Sequence, residues 1–141
     1  VLDLVRGTAS INIEIKGPEV VGALVDAVRA ELASGTPAEA ILVSSFDHPQ
    51  LEAFHLAGTG VPIGALTYGF PQGLAAYAER LGAWSANVAL EFVDRRLVED
   101  AHARGLKVLV YTVNEPDDIE LMDRLGVDAI FSDYPDRVFT Y

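Results

Sequence analysis

Cysteine is absent from the 141 residues, which excludes a disulfide framework, a thiolate nucleophile and cysteine-ligated zinc. That absence leaves the compartment open, with the cytoplasm only slightly favoured. No apolar run approaches the roughly 18 residues that a membrane-spanning helix needs. No charged-then-apolar stretch resembles a signal peptide, although the chain opens on Val1 and not on methionine. Positive charge is also scarce. Ten Lys and Arg stand against 21 Asp and Glu, a formal charge of −11. Such a surface repels phosphate backbones, so nucleic acid is excluded as the expected partner. A small anionic substrate would need a metal or a local lysine to reverse the field. Half of the residues are hydrophobic, enough for a packed core and too many for a disordered tail. Residues 1–141 therefore read as one domain.

Strand-like and helix-like segments alternate along the whole chain. Candidate strands begin near Ile11 (INIEIK), Ala40 (AILVSS), Val61 (VPIGAL), Ala83 (AWSANV), Lys107 (KVLVYT) and Asp128 (DAIFS). Their starts lie about 20–30 residues apart, the length of a βα unit with short loops. Pro18 is expected to open the first helix, where its missing N–H costs nothing. Val20, Val21, Leu24, Val28 and Leu32 then form a stripe at helical spacing, with Gly35 as its C-cap. A later helix is expected over 94–104, with Leu97, Val98 and Ala101 on one side and Gly105 after it. Asn114 is the expected N-cap of a helix over 115–125, which Gly126 ends. Helices after Pro49 and Gln72 read as short.

Six βα units without a hairpin signal imply a parallel sheet. No glycine-rich phosphate turn follows the first strand, which favours a barrel over a doubly wound sheet. A complete TIM-type (β/α)8 barrel has eight strands, so six of eight are expected here.

Within INIEIK, Ile11, Ile13 and Ile15 share one face, and Asn12, Glu14 and Lys16 the other. Alternation of this kind usually marks an antiparallel strand with one wet face. In a βα barrel, however, helices cover the outer face and the inner face is core. Inward charges there are costly unless they are paired or bound to something. At the carboxyl end of a barrel strand they make sense as ligands.

The segments NIEIKG, VSSFDHPQL, PIGAL and AHARGLKVLVYTVNEPDDIELMDRLGVDAIFSDYPDR resemble the glycerophosphodiester phosphodiesterase family in order and spacing. The resemblance runs from Ile11 to Arg137. It implies a (β/α)8 barrel that hydrolyses a small-molecule glycerophosphodiester to an alcohol and glycerol 3-phosphate, using a divalent cation, Ca²⁺ or Mg²⁺. By the same resemblance Glu14 matches the metal-binding glutamate and Lys16 the lysine that contacts the substrate phosphate. Phe46 matches an aromatic position beside the glycerol pocket. Tyr111 stands where the family usually has tryptophan, keeping an amphipathic ring.

The family's opening motifs are His-Arg-Gly, Glu-x-Asp and a hairpin ending in His-Asp, whose two histidines are assigned the proton transfers. None occurs here, and Arg6-Gly7 follows Val5. The expectation is an N-terminally truncated barrel, inactive alone and prone to self-association. No catalytic residue is retained in this reading.

His55 and His102 fall in predicted helices, where packing or a wet surface is the simpler role. His48 follows Asp47 just past a strand, but Asp-His-Pro reads as a helix start. Asp133, also at a strand end, suits loop-capping as well as a site. Trp84 and the remaining aromatics read as core. Glu115, Asp117, Asp118 and Glu120 read as a solvated first turn favoured by the helix dipole. Two alternatives stand beside the hydrolase. One is a non-catalytic barrel remnant that binds a partner or a phosphate compound. The other is a lyase using Lys16 as a Schiff-base amine, which Glu14 on the same face disfavours.

Overall fold

In a computed structural model, residue 7 and residues 9–138 are described. Val5 and Arg6, quoted above, lie outside the described residues. Six strands form one parallel sheet: β1 (Ile11–Ile15), β2 (Ile41–Ser45), β3 (Ile63–Thr67), β4 (Ser85–Ala89), β5 (Lys107–Tyr111) and β6 (Ala129–Ile130). Their spatial order is their sequence order, β1-β2-β3-β4-β5-β6, and each pairing is parallel. Among the described residues, β1 and β6 are therefore the two edges.

The intervening helices are α1 (Val21–Ala33), α2 (His48–Leu56), α3 (Ala76–Arg80), α4 (Arg95–Ala103), α5 (Pro116–Leu125) and the short α6 (Pro135–Val138). Their boundaries follow local chemistry. Asp47 caps α2 by accepting from the Gln50 N–H at 3.1 Å, and Asp94 caps α4 by accepting from the Leu97 N–H at 2.9 Å. Gly126, at φ 77°, closes α5 in the left-handed conformation that glycine tolerates best. Two expected starts are corrected. Helix α1 begins at Val21, because Pro18 lies in a turn that Glu19 carries through φ 61°. Helix α5 is preceded by Glu115, with no side-chain cap, so Asn114 is not its cap.

The alternating residues separate two environments. Ile15, Ile41, Val43, Ile63, Ala65, Ala86, Val108 and Val110 join one buried cluster with Val28, Leu51, Phe54, Val98 and Met122 of the helices. The opposite face is mixed, with Asn12, Glu14, Ser44, Ser85, Asn87 and Tyr111 beside Leu42, Leu66 and Leu109. This face is concave. Ile11 and Asn12 of β1, Leu109 of β5 and Phe131 after β6 line a single hollow of about 340 Å³. The sheet thus curls into a half-barrel, bringing its first and last strands towards one another. Trp84 lines the same hollow and is 47% exposed, which corrects its expected place in the core.

Strand β6 is short, and the side chain of Asp128 just before it adds to the backbone pairing with β5. That carboxylate accepts from Lys107 Nζ at 2.7 Å, the Val108 N–H at 2.8 Å and His102 Nε2 at 2.8 Å. Burial pushes the Asp128 carboxyl upward, but the three donors outweigh it and hold the group below the usual carboxylate range. This contribution to stability is present above the unfolded value near pH 4 and disappears as pH falls through the depressed folded value. Asp128→Asn is expected to cost about 1–3 kcal/mol, read as a lower urea midpoint at pH 7. An unchanged midpoint would exclude this latch.

Candidate active site

The carboxyl ends of β1, β2, β3 and β5 converge on a pocket of about 190 Å³, lined by Asn12, Glu14, Phe46, Leu66, Tyr111, Thr112 and Phe131. Three of the four residues singled out from sequence, Glu14, Phe46 and Tyr111, line this one pocket. Lys16, the fourth, lies one residue beyond β1 and reaches back, with Nζ 3.4 Å from a Glu14 carboxylate oxygen. Its side chain is 76% exposed, so the pair is solvated and contributes little to stability. An ammonium in open solvent beside a carboxylate remains available to a ligand.

The aromatic wall is held from both sides. Phe46 meets Tyr111 edge-on, with ring centroids 5.8 Å apart. The Tyr111 hydroxyl donates to the Thr67 carbonyl at 2.6 Å, tying the end of β5 to the end of β3. Burial, followed by the nearby Glu14 and Glu91 carboxylates, pushes the Tyr111 hydroxyl up to about 12. It therefore remains a neutral donor throughout the physiological range and is no proton acceptor there.

Below the pocket the middle of the concave face carries two polar pairs, one part-buried and one buried. Ser44 donates to Asn12 Oδ1 at 3.0 Å, and Ser85 donates to Asn87 Oδ1 at 2.7 Å. Asn87 is fully buried, and its Nδ2 has no partner among the described residues.

The other candidates fall into structural roles. Nε2 of His48 lies 2.8 Å from the Leu66 carbonyl, and its ring stacks on Tyr77 at 5.6 Å. His102 belongs to the Asp128 cluster already described. Asn114 bridges two loops: its Nδ2 donates to Asp133 at 2.9 Å, while its Oδ1 accepts from the Asp133 N–H at 2.9 Å. Loop bracing therefore accounts for Asn114 and Asp133 together. Sequence reasoning missed Asn12, Leu66, Thr112 and Phe131 as pocket residues. The period-two pattern that selected Glu14 also places Asn12 on its face, so that one was within reach.

Glu14 is the only carboxylate lining the pocket, and no group of three His, Asp or Glu able to hold a metal occurs among the described residues. One charged oxygen is a fragment of the six or more oxygen ligands that a hard cation takes. The described residues do not by themselves form a complete divalent-cation site.

A parallel α/β half-barrel with a carboxylate, an ammonium and an aromatic wall at its carboxyl end belongs to the class of βα-barrel proteins, and its candidate site lies where such barrels carry theirs. The chain belongs to the glycerophosphoryl diester phosphodiesterase family, whose model matches residues 3–137. A glycerophosphodiester phosphodiesterase of Bacillus altitudinis is 31% identical over 97% of this chain and 58% of its own length. A Silicibacter pomeroyi structure described as a glycerophosphoryl diester phosphodiesterase superposes with TM-score 0.83 at 29% identity, covering 97% of this chain and 52% of that one. An Oleispira antarctica phosphodiesterase, solved with the product sn-glycerol-3-phosphate, gives TM-score 0.80 at 26% identity over 93% and 54%. The chain thus spans little more than half the length of these relatives. No helix among the described residues is long and apolar enough to cross a membrane.

Proposed function

We propose that this chain forms the phosphate- and glycerol-binding part of a phosphodiesterase that hydrolyses glycerophosphodiesters to an alcohol and glycerol 3-phosphate. One observation carries the reading: Glu14 and Lys16 lie side by side at the carboxyl rim, next to the Phe46–Tyr111 wall. The sn-glycerol-3-phosphate held by the Oleispira antarctica relative is the kind of ligand this set suits. Lys16 supplies a compact positive charge to the phosphoryl oxygens as negative charge builds on them. The rings of Phe46 and Tyr111 offer an apolar side to the glycerol carbons. Glu14 would give one oxygen to a Ca²⁺ or Mg²⁺ ion, whose remaining ligands would come from outside the described residues. That cation would neutralise phosphoryl charge when bound. The two missing strands of an eight-stranded barrel, with their acid–base groups, belong to the same proposal.

The Schiff-base alternative needs Lys16 Nζ to attack a carbonyl, whereas it lies 3.4 Å from the Glu14 carboxylate and its side chain is exposed to solvent. It is the weaker reading.

The test is mutational, in an active enzyme made by joining this chain to whatever coding sequence precedes Val1 or to the N-terminal half of a relative. Lys16→Ala is expected to lower kcat/KM by about 10²–10³-fold, the loss typical of removing one donor to a developing oxyanion. Glu14→Gln is expected to raise the metal concentration needed for half-maximal activity. Wild-type turnover in Lys16→Ala at saturating metal would refute the assignment and leave a non-catalytic remnant as the better description.

A further inference from the structure

Lys16 and Phe46, assigned above to the phosphate and the glycerol, are not held by burial. The Lys16 side chain is 76% exposed and leans on Glu14 in solvent, and Phe46 is 48% exposed and meets Tyr111 edge-on. Exposed side chains gain too little from such contacts to offset the entropy of keeping one conformation. Where they stand is therefore set by the backbone beneath them.

That backbone is tied at one point. The β1–β2 ladder ends with Ile15 opposite Ser45. There the Ser45 hydroxyl donates to the Ile15 carbonyl at 2.9 Å and accepts from the Asp47 N–H at 3.0 Å. Ile15 immediately precedes Lys16, and Asp47 immediately follows Phe46. One hydroxyl thus joins the main chain on the near side of Lys16 to the main chain on the far side of Phe46. Asp47 is fixed a second time, because its carboxylate accepts from the Gln50 N–H at 3.1 Å and from Gln50 Nε2 at 2.8 Å. The first turn of α2 therefore anchors the Phe46 end of the tie. Ser45 is fully buried, so water does not compete for its two bonds. By alternation it shares the helix-covered face with Val43, and it does not line the pocket.

We propose that Ser45 is a positioning residue, whose hydroxyl sets the separation of Lys16 from Phe46, and so the span between phosphate and glycerol, without touching either. This rests on the hydrolase reading for what the two groups bind. Alanine at this position would leave the Ile15 carbonyl and the Asp47 N–H without their shared partner. The turn that carries Phe46 would then be free to move away from the end of β1.

The test uses the full chain, below the concentration at which its mass rises, titrated with glycerol 3-phosphate and Mg²⁺. Ser45→Ala is expected to weaken binding about fivefold, the size of one net hydrogen bond lost from the bound arrangement. Ser85→Ala is the control, since it removes an equally buried hydroxyl two strands away. It should lower the urea midpoint to a similar extent and leave the affinity within about twofold, as expected of a distant site. Ser45→Cys keeps the volume and a weak donor, so it should fall between wild type and alanine. It carries the test if the alanine variant does not fold. A second readout needs no ligand: the nuclear Overhauser effect between the Phe46 and Tyr111 rings, 5.8 Å apart, should weaken in Ser45→Ala and not in Ser85→Ala. Wild-type affinity in Ser45→Ala, or a loss matched by Ser85→Ala, would overturn the inference and leave the hydrolase reading intact. Binding indifferent to Lys16→Ala would count against the hydrolase reading itself, and the ring contact would then decide alone whether Ser45 positions the wall.

Discussion

The polypeptide of residues 1–141, assayed alone with glycerophosphodiester and excess Mg²⁺ or Ca²⁺, is expected to release no measurable glycerol 3-phosphate. The reason is the protonation chemistry of the described rim. His48, the histidine nearest the pocket, has its Nε2 against a carbonyl and its ring stacked on Tyr77. Tyr111 is protonated at neutral pH and already donates to Thr67. Lys16 and Glu14 face each other. No residue of the pocket is placed to protonate a leaving alcohol while another activates water. A general acid or base typically contributes about 10²–10⁴-fold, and two that act as a pair do not simply multiply. A deficit of at least about 10⁴ from a median turnover near 10 s⁻¹ puts the chain below about 10⁻³ s⁻¹. A coupled assay for glycerol 3-phosphate is the measurement. Release within tenfold of 10 s⁻¹ would show that the described residues contain a complete catalytic set.

The second large effect concerns assembly. Strands β1 and β6 each have one partner among the described residues, and each exposes a row of unpaired backbone groups. Apolar residues accompany them: Ile11 and Ile13 on β1 and Ile130 on β6 are only partly buried against the core. Beside β6 a groove of about 740 Å³ is lined by Ile119, Met122, Val127, Ile130, Phe131 and Val138, among others. Open parallel edges with uncovered apolar neighbours invite pairing with another chain. The isolated polypeptide is therefore expected to self-associate, its mean mass rising with concentration in light scattering. Hydrogen exchange on the same samples should show weak protection in β1 and β6 at low concentration and stronger protection as mass rises. A concentration-independent monomer with strongly protected amides in both edges would mean that the half-barrel closes on itself.

The six described strands were legible in the sequence, β1 by its alternation and the others as short, mainly apolar runs between punctuating residues. Even the least regular, AWSANV, contains β4 at Ser85–Ala89. Gly126 and Asp47 acted where their chemistry said they would. What escaped was whatever depends on partners distant in sequence. Asn114 has the side chain of a helix cap, yet its amide serves Asp133, 19 residues on. Trp84 has the hydrophobicity of a core residue, but the mouth of the concave face is open where it stands. Pro18 is a sound helix opener by type, and the left-handed turn at Glu19 delays the helix regardless. Glu14 and Lys16 were visible because their strand context made charge anomalous. Phe131 enters the same pocket from the far end of the chain, which no local pattern reveals.

The strictly sequential strand order has a consequence for how the chain is made. Ile11 pairs with Ile41, Val43 with Ile63, Ser85 with Lys107 and Leu109 with Ala129. Among the described residues, every strand after β1 thus finds its preceding partner within about 20–30 residues, which keeps loop closure modest for a parallel sheet. No described strand waits for a segment from the far end to slot between it and its neighbour. On a ribosome delivering about 5–20 residues each second, each new βα unit emerges next to an already exposed edge. Synthesis can therefore add the units one at a time, in the order in which the sheet is built.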